Sequence, residues 1–116
     1  MQSICVQVQP ERAPGLDIEA VARLMLRIAL SSKVPEFSVV RSANGTWINF
    51  MFTVKTLRPV WSAIRSSGLR HAKVGAKLRR CTIVVAEGSR GWANYRLLAS
   101  FQRRRAARPN LTDLGR

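Results

Sequence analysis

The sequence predicts an α+β fold, a two-layer α/β sandwich of one antiparallel sheet under helices. Three observations carry that prediction. Ser3 to Val8 alternates, with Ile4, Val6 and Val8 on one side and Cys5 and Gln7 on the other, the pattern of a half-buried strand. Ile18, Val21, Ala22, Met25, Ile28 and Ala29 recur at helical spacing as one apolar stripe. Two strand-like runs, Glu36 to Ser42 and Thr46 to Val54, meet at Asn44-Gly45, a pair suited to a type I′ hairpin turn. The chain has 116 residues and is 47% hydrophobic, enough for one core. It reads as a single domain over residues 1–105 with a flexible basic tail over 106–116.

The elements follow in order. After the first strand, Pro10 to Gly15 is a loop. Asp17 suits a helix N-cap, and Glu19 lies in the first turn, where the helix dipole favours an acid. Glu19, Arg23 and Arg27 fall four residues apart on the outer face, while Leu24, Leu26 and Leu30 widen the apolar stripe. Ser31 to Pro35 ends this helix. The Asn-Gly turn sets a hairpin register in which Arg41 faces Ile48, Val39 faces Phe50 and Phe37 faces Phe52. Directly opposed residues share a sheet face. One face therefore carries Phe37, Val39, Ile48, Phe50 and Phe52, and the other Ser38, Val40, Trp47, Asn49 and Met51. Thr56 opens a second helix, with Leu57, Val60, Trp61 and Ile64 on one side and Pro59 tolerable in the first turn. Ser66-Ser67-Gly68 closes it. Leu69 to Arg80 is expected to be a basic connector. Cys81 to Ala86 reads as a central strand and Glu87 to Gly91 as a turn. Trp92 to about Arg105 reads as a third helix, on the helix preference of Ala, Leu and Arg.

The order β-α-β-β-α-β, before that C-terminal helix, resembles the split arrangement of ferredoxin-like folds. The resemblance implies a four-stranded antiparallel sheet with two helices packed on the phenylalanine face. The stretch KLRRCTIVVAEGSRGWANYRLLASF, Lys77 to Phe101, is loosely similar to the strand–loop–helix units of STAS-type domains, which makes a STAS-like α/β fold the alternative. That similarity covers about half the chain, has no diagnostic residue and brings no site residue with it.

Charge is the main clue to function. The chain has 20 Lys+Arg against 6 Asp+Glu, a formal net charge of +14 and a pI near 11.8. Residues 1–54 hold five bases and four acids; residues 55–116 hold fifteen bases against Glu87 and Asp113. Sixteen of the twenty bases are arginine, which forks onto phosphate better than lysine, although codon bias toward arginine is the plain counter-reading. A field of this size argues for a polyanionic partner. The leading expectation is a small nucleic-acid-binding protein that uses phosphate contacts from its C-terminal half, without evident sequence specificity and without a choice between DNA and RNA. Two clusters are the candidate contacts. The connector supplies Arg70, Lys73, Lys77, Arg79 and Arg80, weighed against an ordinary polar loop. Arg103, Arg104, Arg105 and Arg108 form the second, weighed against a solvated helix end.

The alternative expectation is a non-enzymatic interaction or assembly module. It would form a homodimer or meet another partner through the sheet face of Val40, Trp47 and Met51, left open unless the third helix covers it. Trp47, Trp92 and Tyr95 are the aromatic candidates for base stacking, but TWINFMFTV lacks the RNA-recognition signature, so a packing or dimer role is the better account of Trp47. Glu87 to Gly91 offers backbone N–H groups to an anion, yet has no Lys-Ser/Thr pair of a P-loop.

Other classes find little support. His71 is the one histidine and no carboxylate is placed beside it by sequence, so no catalytic residue is assigned and no enzyme activity is expected. Cys5, Cys81 and His71 lack ligand spacing, so no metal, cofactor or small-molecule substrate is inferred. Two distant cysteines inside strands suggest buried thiols in the cytoplasm or an equivalent reducing compartment. No apolar run reaches membrane-spanning length, and the early acids fit neither a secretory signal nor a transit peptide.

Overall fold

A computed structural model describes residues 1–101. Its elements are β1 (Gln2–Val8), a 3-10 turn (Pro10–Arg12), α1 (Ile18–Ser31), β2 (Glu36–Arg41), β3 (Ile48–Val54), α2 (Leu57–Ala63), a π-helical turn (Ile64–Leu69), α3 (Gly75–Cys81), β4 (Thr82–Gly88) and β5 (Gly91–Ala99). The strands form one antiparallel sheet in the order β2-β3-β1-β4-β5. The two-layer α+β prediction is met. The first four strands take the neighbour order of the split β-α-β arrangement, and β5 extends the sheet beyond β4.

Strand pairing sorts side chains into two unlike faces. On one, Ile4 lies between Phe52 and Ala86, and Val6 between Phe50 and Val84. This face packs against Val21, Met25 and Ile28 of α1, Val60 of α2, Ile64 of the π turn and Leu78 of α3, all buried. On the other, Cys5, Ile83 and Val85 form a smaller cluster, with Met51, Trp92, Tyr95 and Phe101 against it. Gln7 and Asn49, paired across β1 and β3, are fully buried on this second face.

Local chemistry explains the helix ends. The Asp17 carboxylate accepts the Ala20 N–H at 3.0 Å, capping α1 as expected. Lys33, the single non-glycine residue with positive φ (52°) among the described residues, turns the chain out of the helix while Val34 N–H returns to Ala29 O at 3.0 Å. Thr56 precedes α2 but makes no side-chain cap.

The hairpin keeps its expected register, Phe37–Phe52, Val39–Phe50 and Arg41–Ile48, with a different turn. Gly45 has φ of 74°, but Asn44 does not share the positive φ that a type I′ turn needs. Instead Ser42 N–H donates to Trp47 O (3.0 Å) and Gly45 N–H to Ser42 O (3.2 Å), and the Asn44 side chain accepts from Thr46 N–H at 3.2 Å. The loop is one residue longer on each side than a two-residue turn, and a symmetric lengthening leaves the pairing unchanged.

Three sequence expectations are corrected. The C-terminal helix from Trp92 is a strand: β5 pairs with β4 through Val85–Leu97 and Ala86–Arg96, and helix propensity yields to the sheet edge it completes. The strand–loop–helix unit of the STAS-like alternative goes with it. Ser66-Ser67-Gly68 does not end the second helix, which runs on as the π turn to Leu69. The connector is a turn only over 70–74; from Gly75 it is helix α3, which buries Gly75, Leu78 and Cys81 on one side. Gly75 is held close: a Cβ there would sit 2.7 Å from the Leu69 carbonyl oxygen.

Both cysteines are free and buried, but only Cys5 lies in a strand as expected; Cys81 ends α3 and packs in the helix-covered core, while Cys5 lies in the cluster on the other face. No helix among the described residues is long and apolar enough to cross a membrane.

Candidate nucleic-acid interface

The described part of the basic surface is built on the π turn and α3. From Lys55 to Arg80 the chain has eight Lys or Arg and no Asp or Glu. Burial of Gly75, Leu78 and Cys81 turns Lys77, Arg79 and Arg80 outward, and Arg70 and Lys73 are exposed just before them. Arg79 and Arg80, expected in a connector, therefore lie on a helix in the layer that covers the sheet.

These five bases are not equivalent. Lys77 Nζ donates to Gly15 O at 3.1 Å, tying α3 to the loop before α1. The Arg79 guanidinium donates to the Leu69 carbonyl, clamping α3 on the π turn. Both have structural work. Arg70, Lys73 and Arg80 make no side-chain hydrogen bond or ion pair among the described residues. The His71 ring accepts the N–H groups of Lys73 (3.1 Å) and Val74 (3.3 Å) at Nδ1 and so holds the chain that carries Lys73. The second cluster, Arg103, Arg104, Arg105 and Arg108, lies outside the described residues, as does the tail 106–116.

The near-neutral half adds bases that the charge split hid. Arg27 of α1 lines the same cleft as Arg70 and His71, and Arg23 lies one turn before it. Their spacing on the outer face of α1 is visible in sequence. Their neighbourhood with residues 66–72 comes from the packing of α1 on the π turn, which no local pattern reveals.

The aromatic and interface candidates sit elsewhere. Trp47 is 9% exposed, so the face expected to be open presents no free indole there. Val40 and Met51 are half-buried, and Trp92 and Tyr95 pack on the second-face cluster. Trp61 packs against the main core, with the Arg65 guanidinium 5.7 Å from its ring centre. The turn near Glu87 leads into a strand and not a helix, so it offers no helix N-terminus to an anion. Glu87 instead accepts the Ser3 N–H at 2.7 Å.

Ionisation follows burial. The Cys5 thiol is pushed up to about 12 by burial. Burial also raises Cys81, opposed by hydrogen bonds from Thr82 and Gln9. Neither thiol is a reactive thiolate near neutral pH. Among the described residues no three His, Cys, Asp or Glu side chains group as a metal site.

The fold defines a class: a two-layer α+β protein with helices on one face of an antiparallel sheet. Within that class the chain is similar to the solved structure of Rv0793 from Mycobacterium tuberculosis, with a TM-score of 0.52 and 16% sequence identity, over 75% of this chain and 92% of that one. At this identity the likeness is one of fold. No family model matches the chain, and no curated protein sequence matches it.

Proposed function

We propose that this protein binds nucleic acid through phosphate contacts made by the exposed edge of the π turn and α3. One observation carries the reading: Arg70, Lys73 and Arg80 project from an acid-free stretch with no intramolecular partner among the described residues. Cations held without counter-charges along one surface, Arg70 and Lys73 in the turn before α3 and Arg80 on it, are suited to displacing the counterions condensed on a polyanion. Lys77 and Arg79 fix the element and add field. Base readout is not part of the proposal, because the aromatic rings are packed away. Arg103, Arg104, Arg105 and Arg108 would add phosphate contacts from beyond the described residues.

The test is a salt titration of affinity for duplex DNA and for RNA by fluorescence anisotropy. Log K should fall linearly with log salt. Replacing Arg70, Lys73 and Arg80 together by Gln should flatten the slope by about 3 for a duplex, since each neutralised phosphate accounts for about 0.9 of it. Truncation after Phe101 should flatten it further. No binding to either polymer at low salt would refute the proposal. The alternative, self-association through Val40, Trp47 and Met51, is weakened by the burial of Trp47.

A further inference from the structure

We infer that the cleft between α1 and the π turn binds a small organic anion, an apolar body carrying one phosphate or carboxylate group. The cleft has a volume of about 470 Å³, within the range of small-molecule sites. Its lining is divided in the way such a ligand requires. Leu24 and Ile28, both buried, give an apolar floor. Arg27 from α1 and Arg70 from the end of the π turn bring guanidinium groups from two elements, and His71 and the Ser67 hydroxyl complete the polar wall.

Two further observations point to an anion, and a third to a binding site. Arg27 and Arg70 line one cleft with no carboxylate paired to either among the described residues. Two like charges at one site repel each other until an anion lies between them, so binding relieves a cost as well as making charge-assisted bonds. The His71 Nδ1 atom is already an acceptor for two backbone N–H groups. Its ring proton is therefore on Nε2, and the imidazole presents a donor. Finally, the wall bearing Ser66 and Ser67 is π-helical, a wider winding that recurs at binding sites. An inorganic anion would use only the rim and a neutral hydrocarbon only the floor. A molecule with both parts uses the whole cleft.

The experiment is calorimetric titration of the full chain with 1-naphthyl phosphate and with its two halves, inorganic phosphate and 1-naphthol. We expect saturable one-to-one binding of 1-naphthyl phosphate, at least tenfold tighter than either half. Arg27→Gln and Arg70→Gln, both at exposed positions, should each weaken it about tenfold, the scale of one charged hydrogen bond. Ala72→Trp, on the cleft rim, should block it. Arg80→Gln, away from the cleft, should leave it unchanged while weakening nucleic-acid binding, so the two proposals fail separately. Absence of saturable binding, equal affinity for phosphate and naphthyl phosphate, or wild-type affinity in both cleft arginine variants would overturn the inference. Melting curves establish folding of each variant; should the tryptophan variant unfold, the arginine pair still decides.

Discussion

The two faces of the sheet are built on different physical terms, although the same strands make both. The helix-covered face is apolar at nearly every paired position, with Phe50 and Phe52 fully buried among Ile4, Val6 and Val84. Its cohesion is hydrophobic and close-packed. The second face mixes Cys5, Ile83 and Val85 with buried amides. There Arg12 Nε donates to Gln9 Oε1 (2.7 Å), Gln9 Nε2 to Gln7 Oε1 (3.1 Å) and Gln7 Nε2 to Asn49 Oδ1 (2.8 Å). The Arg12 guanidinium also lies 4.3 Å from the ring centre of Phe101. Donors point one way along this chain, from the exposed Arg12 to the buried Asn49, whose Nδ2 has no partner among the described residues. One face is held by volume and the other by direction.

The sharpest way to break the comparison is to remove volume. Phe52→Ala should destabilise the protein by about 3–5 kcal/mol, the range for a buried aromatic deleted from a tight core. Chemical denaturation should show the midpoint fall with the slope kept. A loss near 1 kcal/mol would mean that this face collapses around the gap and is not close-packed.

The same contrast accounts for what is legible in the sequence. Period-2 and period-3.6 patterns report burial against a uniform apolar layer, so β1, α1, the β2–β3 register and β4 can be read from it. Strand β5 cannot, because it lies at the sheet edge. Ala93, Asn94, Arg96 and Leu97 are exposed there, and Ala, Leu and Arg favour helix when no neighbour is known. The available hairpin signal is a two-residue turn, Ser89-Arg90, between Gly88 and Gly91, where Gly91 has φ of 72°. Helix α3 escapes because seven residues hold too few periods to show a stripe. The candidate cations are legible as residues, but not their division of labour: only the fold tells that Lys77 and Arg79 are tied to backbone carbonyls while Arg70, Lys73 and Arg80 are not. That Arg27 of the near-neutral half joins Arg70 depends on tertiary packing alone.

A smaller effect is expected from the amide chain. Asn49→Ala removes one acceptor of the Gln7 amide together with a fully buried side chain and should cost about 1–3 kcal/mol, the usual range for a buried substitution. Because Asn49 already carries one unpartnered N–H group, Asn49→Asp is a separate probe of polarity. It puts an ionisable carboxyl in a fully buried place and should destabilise more at pH 8 than at pH 4, where the acid is neutral. Equal stability at both pH values would mean that water reaches this face.

The smallest effect separates the faces through their thiols. In the unfolded chain Cys5 titrates near 9.0, and in the folded protein it is pushed up to about 12 by burial. The unfolded state therefore loses its proton first. Stability is fully present below pH 9 and is lost as pH rises toward 12, by about 1 kcal/mol between pH 9 and 10 for this one group. Cys81 on the helix-covered face is raised too, but Thr82 and Gln9 hydrogen bonds oppose the shift. Cys5→Ala should consequently flatten the alkaline decline of stability more than Cys81→Ala does, as read from urea midpoints at pH 8, 9 and 10. Greater flattening by Cys81→Ala would reverse the ranking and place the drier environment on the helix side of the sheet.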